Sequence, residues 1–126
     1  MKFIHTDHAP KAIGPYSQAV LVGDTLYISG QLPLDAISMT MPKSIKEQTQ
    51  KSLDNILAIL NEAGMDKNDI VRCGVFLKDL NHFSEMNDVY QAFFQDHKPA
   101  RAAIEAARLP KDALIEIDAI AIKSKK

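Results

Sequence analysis

Ala100-Arg101-Ala102-Ala103-Ile104-Glu105-Ala106-Ala107-Arg108 is the stretch on which the fold turns. Its alanines give it strong intrinsic helix propensity. Yet it is short, and Pro99 and Pro110 bracket it. Propensity is a weak prior that pairing within a sheet overrides, and the segment reads as a strand. Working outward, residues 114–122 form an isoleucine-rich strand. Glu116 and Asp118 alternate there with Ile115 and Ile117, so the acids and the isoleucines lie on opposite faces. Upstream, Phe83, Met86, Val89, Tyr90, Phe93 and Phe94 mark the buried stripe of a helix over about 82–96.

Residues 70–78 return to β character. Before them, Ile45, Thr49, Ser52, Leu53, Ile56, Leu57, Leu60 and Ala63 recur at spacings of three and four, the signature of an amphipathic helix. Ser44 and Glu47 have capping-box spacing, and Gly64 stands where a helix terminates. Residues 32–43, with Pro33 and Pro42, read as loop. Residues 17–23 and 25–31 read as a hairpin turning at Gly23-Asp24, and residues 2–6 as a short first strand. The order β-β-β-α-β-α-β-β predicts an α+β domain spanning residues 1–126, with both helices on one face of a mixed sheet. The other face, left uncovered and apolar, would serve as an oligomer interface.

Composition narrows the function. A net charge of -1 over 126 residues supplies no basic field for nucleic acid, and the Lys123-Ser124-Lys125-Lys126 end reads as a solvated tail. No run approaches the ~20 apolar residues of a membrane span, and the first residues do not read as a secretory signal. One cysteine, Cys73, fits a reducing cytoplasm and reads as a buried, inert thiol. Five glycines at 14, 23, 30, 64 and 74 form neither a dinucleotide fingerprint nor a phosphate loop. His5 and His8 lack further ligands for a metal, and His82 and His97 read as surface groups.

Four features remain open between structure and function. Gly14-Pro15-Tyr16-Ser17 is a packed turn or a presented phenol. Ser29-Gly30-Gln31-Leu32-Pro33 is a bulge or a place where backbone meets a ligand. Arg101, held beside Pro99 at a strand start, reads most simply as a solvated charge, and Glu116 as an acid exposed at a sheet edge.

Together these stretches resemble the Rid family, also called YjgF/RidA. The similar segments are Ala12-Ile13-Gly14-Pro15-Tyr16-Ser17-Gln18-Ala19, Ser29-Gly30-Gln31-Leu32-Pro33-Leu34, Ser52-Leu53-Asp54-Asn55-Ile56 and Val75-Phe76-Leu77-Lys78-Asp79-Leu80. Residues 83–94, with Asn87-Asp88-Val89-Tyr90, and the stretches 97–101, 107–112 and 115–117 continue the match. The resemblance implies a chorismate-mutase-like fold, a mixed six-stranded sheet with two helices on one face. It implies a homotrimer with sites between subunits, and cofactor-free hydrolysis of 2-iminobutanoate and 2-iminopropanoate to 2-oxo acids and ammonia. It also implies the roles: Arg101 for the substrate carboxylate, Glu116 and Tyr16 for the attacking water, and Ser29, Gly30, Asn87 and Ala103 lining the pocket. An arginine fork suits a carboxylate, and hydration of an imine needs a held water and a proton carrier but no metal. Two departures stand out. Ala102-Ala103 follows Arg101 where the family carries Ser-Cys, which leaves a main-chain amide but no thiol. Residues 35–42 bring Met39 and Met41, read as exposed, into a turn that is polar in the family. A non-catalytic, metabolite-sensing member is the alternative; a ribonuclease finds no support in the charge balance.

Overall fold

Period-two and period-3.6 patterning sort the chain as expected. The computed structural model describes residues 1–124 and runs β1 (Lys2–Ile4), β2 (Ala19–Val22), β3 (Thr25–Gln31), α1 (Ile45–Glu62), β4 (Ile70–Leu77), α2 (Phe83–Phe94), β5 (Ala100–Glu105) and β6 (Ile115–Ile122). The predicted elements are all present, several of them a residue or more shorter than expected. Residues 125 and 126 of the basic tail lie outside the described residues. No helix among the described residues is long and apolar enough to cross a membrane.

The six strands pair in the order β1-β2-β3-β6-β4-β5, antiparallel throughout except for the parallel β4–β5 pair. Parallel neighbours need a crossover, and α2 supplies it. α1 packs on β3, β6 and α2, so both helices cover one face of the mixed sheet. Register fixes which side chains share that face. Ile4, Ala19, Ile28, Ala119, Cys73 and Arg101 form one row across all six strands, on the helix side; the first five are buried. The adjacent row, Phe3, Val20, Tyr27, Ile120, Arg72 and Ala100, faces away. On that open face Phe3 is 67% exposed and Tyr27 51%.

Ser44 caps α1, its Oγ accepting from the Glu47 amide at 3.1 Å and donating to the Glu47 carboxylate at 2.9 Å. Gly64, at φ 73°, follows the last turn and relieves the left-handed backbone that ends the helix. Two corrections concern side chains. Met39 and Met41 are half-buried, and Ile37 is the exposed apolar residue of that turn. Asp35 holds the turn by accepting the Ile37 and Ser38 amides, which lower its carboxyl to about 2. In α2, Phe83 is 37% exposed rather than part of the closed core.

Candidate active site

Two separate groups contain the predicted site residues. The first surrounds a cavity of about 600 Å³ at the end of β3, lined by Tyr16, Ser29, Gly30 and Glu116, with Lys11 and Lys111 also on its wall. Sequence makes this cavity in three steps. Ile28 pairs with Ala119 and Gln31 with Ile117, so β3 carries one residue more than β6 between those pairs. That bulge releases Gly30 from the ladder. A Cβ at Gly30 would fall on the Glu116 carboxylate, so only glycine leaves the acid where it is. The Gly14-Pro15-Tyr16 turn, with Gly14 at φ 125°, then presents the Tyr16 ring, whose hydroxyl accepts from the Ile13 amide at 3.3 Å.

Buried Gln18 is the brace that sequence reading missed. Its side chain accepts from the Thr6 amide at 2.7 Å and donates to the carbonyls of Thr6 and Pro10 at 3.0 and 2.9 Å, pinning the segment that walls the cavity. Asn55 of α1 does the same for the opposite wall through the Leu32 and Leu34 carbonyls. Ser29 donates to the Ser17 carbonyl at 2.6 Å. Glu116 makes no such hydrogen bond among the described residues. Burial, and then the charge of Asp118, raise its carboxyl above the ordinary value, as expected of a group suited to proton transfer.

The second group lies at the edge strand β5. Arg101 reaches over α2, where Nη1 donates to Asn87 Oδ1 at 2.7 Å and approaches Met86 Sδ at 4.0 Å. Its guanidinium carbon stands 4.8 Å from the Tyr90 ring centre and 5.4 Å from that of Phe83. Two aromatic faces and one amide therefore hold the cation in place. Both hydrogen bonds leave from Nη1, so Nε and Nη2 present the edge that binds a carboxylate bidentately. Ala103 lies two residues further on, half-buried on the same face. Beneath Arg101, the buried Tyr90 hydroxyl has the Cys73 thiol for its hydrogen-bonding neighbour and no nitrogen or oxygen partner among the described residues. Burial raises both groups, Cys73 to about 11; this is an inert thiol.

One chain does not bring the two groups together. Glu116 shares a row with Phe76 and Ile104 on the open face, whereas Arg101 is in the helix-side row with Cys73. The sheet itself separates them. His97 proves half-buried rather than a surface group; its Nε2 meets the Ile70 carbonyl at 2.6 Å and its ring leans on Phe94. His82 is half-buried too, with Nδ1 unpartnered among the described residues. His5 pairs with Asp7 at 3.0 Å, and no three His, Cys, Asp or Glu side chains gather as a metal-holding group among the described residues.

Comparison with known proteins gives this geometry its context. The family model described as endoribonuclease L-PSP matches residues 6–123. A RutC family protein of Pyrococcus abyssi is 54% identical over 121 residues, 95% of each chain. The 2-iminobutanoate/2-iminopropanoate deaminase of Escherichia coli K12 is 47% identical over 125 residues, 97% of this chain and 98% of its own. The crystal structure of E. coli TdcF with bound serine superposes with a TM-score of 0.95 at 42% identity, covering 98% of this chain and all of that one.

Proposed function

The chain belongs to the YjgF/RidA family, and on that premise we propose that it hydrolyses reactive 2-imino acids to 2-oxo acids and ammonia, without a cofactor, at sites shared between copies of a homotrimer. One observation carries this proposal. The two groups hold complementary halves of a single chemistry on opposite faces of the sheet. Arg101 and Asn87 offer a planar carboxylate fork, while Tyr16, Ser29 and Gly30 surround the proton carrier Glu116 in a cavity whose cations, Lys11 and Lys111, lack such a fork. A neighbouring copy that covers the open face would join them.

In such a joint site Arg101 holds the substrate carboxylate, and the reacting carbon faces Glu116 and Tyr16 of the adjacent copy. Glu116 accepts a proton from water as the oxygen bonds to the imine carbon. Tyr16 hydrogen-bonds that water, and the Gly30 backbone approaches the substrate without side-chain obstruction. The carbinolamine formed in this way from the protonated imine then collapses: Glu116 passes its proton to the nitrogen and takes the hydroxyl proton back as the C–N bond breaks, so ammonia leaves and the C=O of a 2-oxo acid remains. Ala103 contributes its main-chain amide and a small side chain beside Arg101. The similarity to a named 2-iminobutanoate/2-iminopropanoate deaminase supports this chemistry. So does the serine bound by TdcF, since an α-amino acid lays out a carboxylate and a nitrogen-bearing carbon as a 2-imino acid does.

The test is deamination of 2-iminobutanoate generated by a threonine dehydratase, read as 2-oxobutanoate formation. The parent protein accelerates it. Arg101→Ala loses activity by on the order of 100-fold, and Arg101→Lys recovers little of it because an ammonium lacks the planar fork. Full activity in Arg101→Ala would remove the arginine from the mechanism. The Ala102-Ala103 pair after Arg101 favours one rival, a member that binds a small carboxylate without turning it over. Tight binding of 2-oxobutanoate with no imine hydrolysis, unchanged in Ala103→Cys, would establish that rival.

A further inference from the structure

A second, smaller cavity opens beside Arg101, on the side toward the end of α2. It encloses about 240 Å³ and is lined by Arg101, Asn87, Gln91, Gln95, His97 and Lys98, with the rings of Tyr90 and Phe94 at its back. Among the described residues no carboxylate lines it. Two cations and three amide side chains share a space below the roughly 300 Å³ at which drug-sized pockets begin.

Three details make this more than a gap between side chains. His97, bonded to the Ile70 carbonyl at 2.6 Å and through its amide to the Phe94 carbonyl at 3.0 Å, pins the backbone next to Lys98. Gln95 sits at φ 57° at the end of α2, a conformation that costs a non-glycine residue free energy and directs the chain around the cavity. Lys98 forms no ion pair among the described residues. Its charge is therefore free to meet a ligand.

Resting on the deaminase reading, we infer that this cavity receives the second carboxylate of a dicarboxylic 2-imino acid, with Lys98 as its counter-charge and the Gln91 and Gln95 amides as donors. Arg101 takes the carboxylate next to the imine carbon, and the side chain extends along the cavity to Lys98. Monocarboxylic imines use the same arginine and leave Lys98 idle. Reactions that oxidise acidic amino acids to their imines would be the source of such a substrate.

Stable 2-oxo acid products serve as probes, measured by calorimetry at low salt. The parent binds 2-oxoglutarate about fivefold more tightly than 2-oxobutanoate, the scale of one solvent-exposed ion pair, and added salt narrows the gap. Lys98→Gln, at an exposed position, abolishes that preference and leaves 2-oxobutanoate binding unchanged; Arg101→Lys weakens both. Equal affinity for the two acids in the parent, or equal weakening of both in Lys98→Gln, overturns the inference. Imine turnover is followed in the same samples. A parent that deaminates monocarboxylic imines yet shows no dicarboxylate preference sinks this inference alone. One that turns over no imine sinks the deaminase reading and this inference with it.

Discussion

Glu116 alternates with buried Ile115 and Ile117, so its carboxylate emerges on the open face beside Asp118. Burial and that neighbour make it harder to ionise in the folded protein than in the unfolded chain. The sign of the consequence follows from linkage. A carboxyl with a raised folded-state value favours the fold below its unfolded value, and that contribution is lost as pH rises through the raised one. Glu116→Gln removes the effect, so it melts at a higher temperature than the parent at neutral pH, and the difference closes in acid. Activity runs the other way. Water attack needs the carboxylate, so parent turnover falls as pH drops through the raised value, and the glutamine variant is inactive. Paired melts and rate profiles across pH check both; a glutamine variant less stable than the parent at neutral pH would contradict the burial argument.

At the scale of elements, α2 does two things at once. Met86, Tyr90, Phe93 and Phe94 close the core, and the outer edge of the same stripe carries the rings that hold Arg101. Tyr90→Phe keeps the ring and discards a hydroxyl whose polar neighbour is the Cys73 thiol, a weak hydrogen-bonding group, so stability and KM stay near the parent's. Tyr90→Leu takes the ring from under the guanidinium, raising KM by about fivefold while kcat changes less. An unchanged KM in a folded Tyr90→Leu protein would show that the ring does not position the arginine. The helices themselves were legible in the sequence: Ser44, Glu47 and Gly64 bound α1, and spacings of three and four gave the stripe of α2. β5 was harder, because its alanines favour helix and only pairing with β4 makes it a strand. The side of the sheet on which Arg101 emerges depends on that long-range register, which local spacing does not carry. Tyr90 and Phe83 were visible only as apolar helix positions, and Gln18 and Asn55 as ordinary polar residues. Their roles come from contacts 8 to 23 residues away in sequence.

The whole molecule leaves one sheet face open. Phe3, Val22, Tyr27, Ile104 and Ile122 are each 46% or more exposed there, and exposed apolar groups gathered on one face mark an interaction surface. Arg101 and Glu116 sit on opposite sides of that same sheet, so a site that uses both must draw them from two copies. Mixing two inactive proteins tests this directly. Arg101→Ala and Glu116→Gln are each purified, then unfolded and refolded together in equal amounts, and deamination of 2-iminobutanoate is measured. Random assembly gives a shared site one intact arginine and one intact glutamate in roughly a quarter of cases, so activity should return to about that fraction of the parent's. If each site were built within one chain, the mixture would stay as inactive as its components, and the account of a joint site would be wrong.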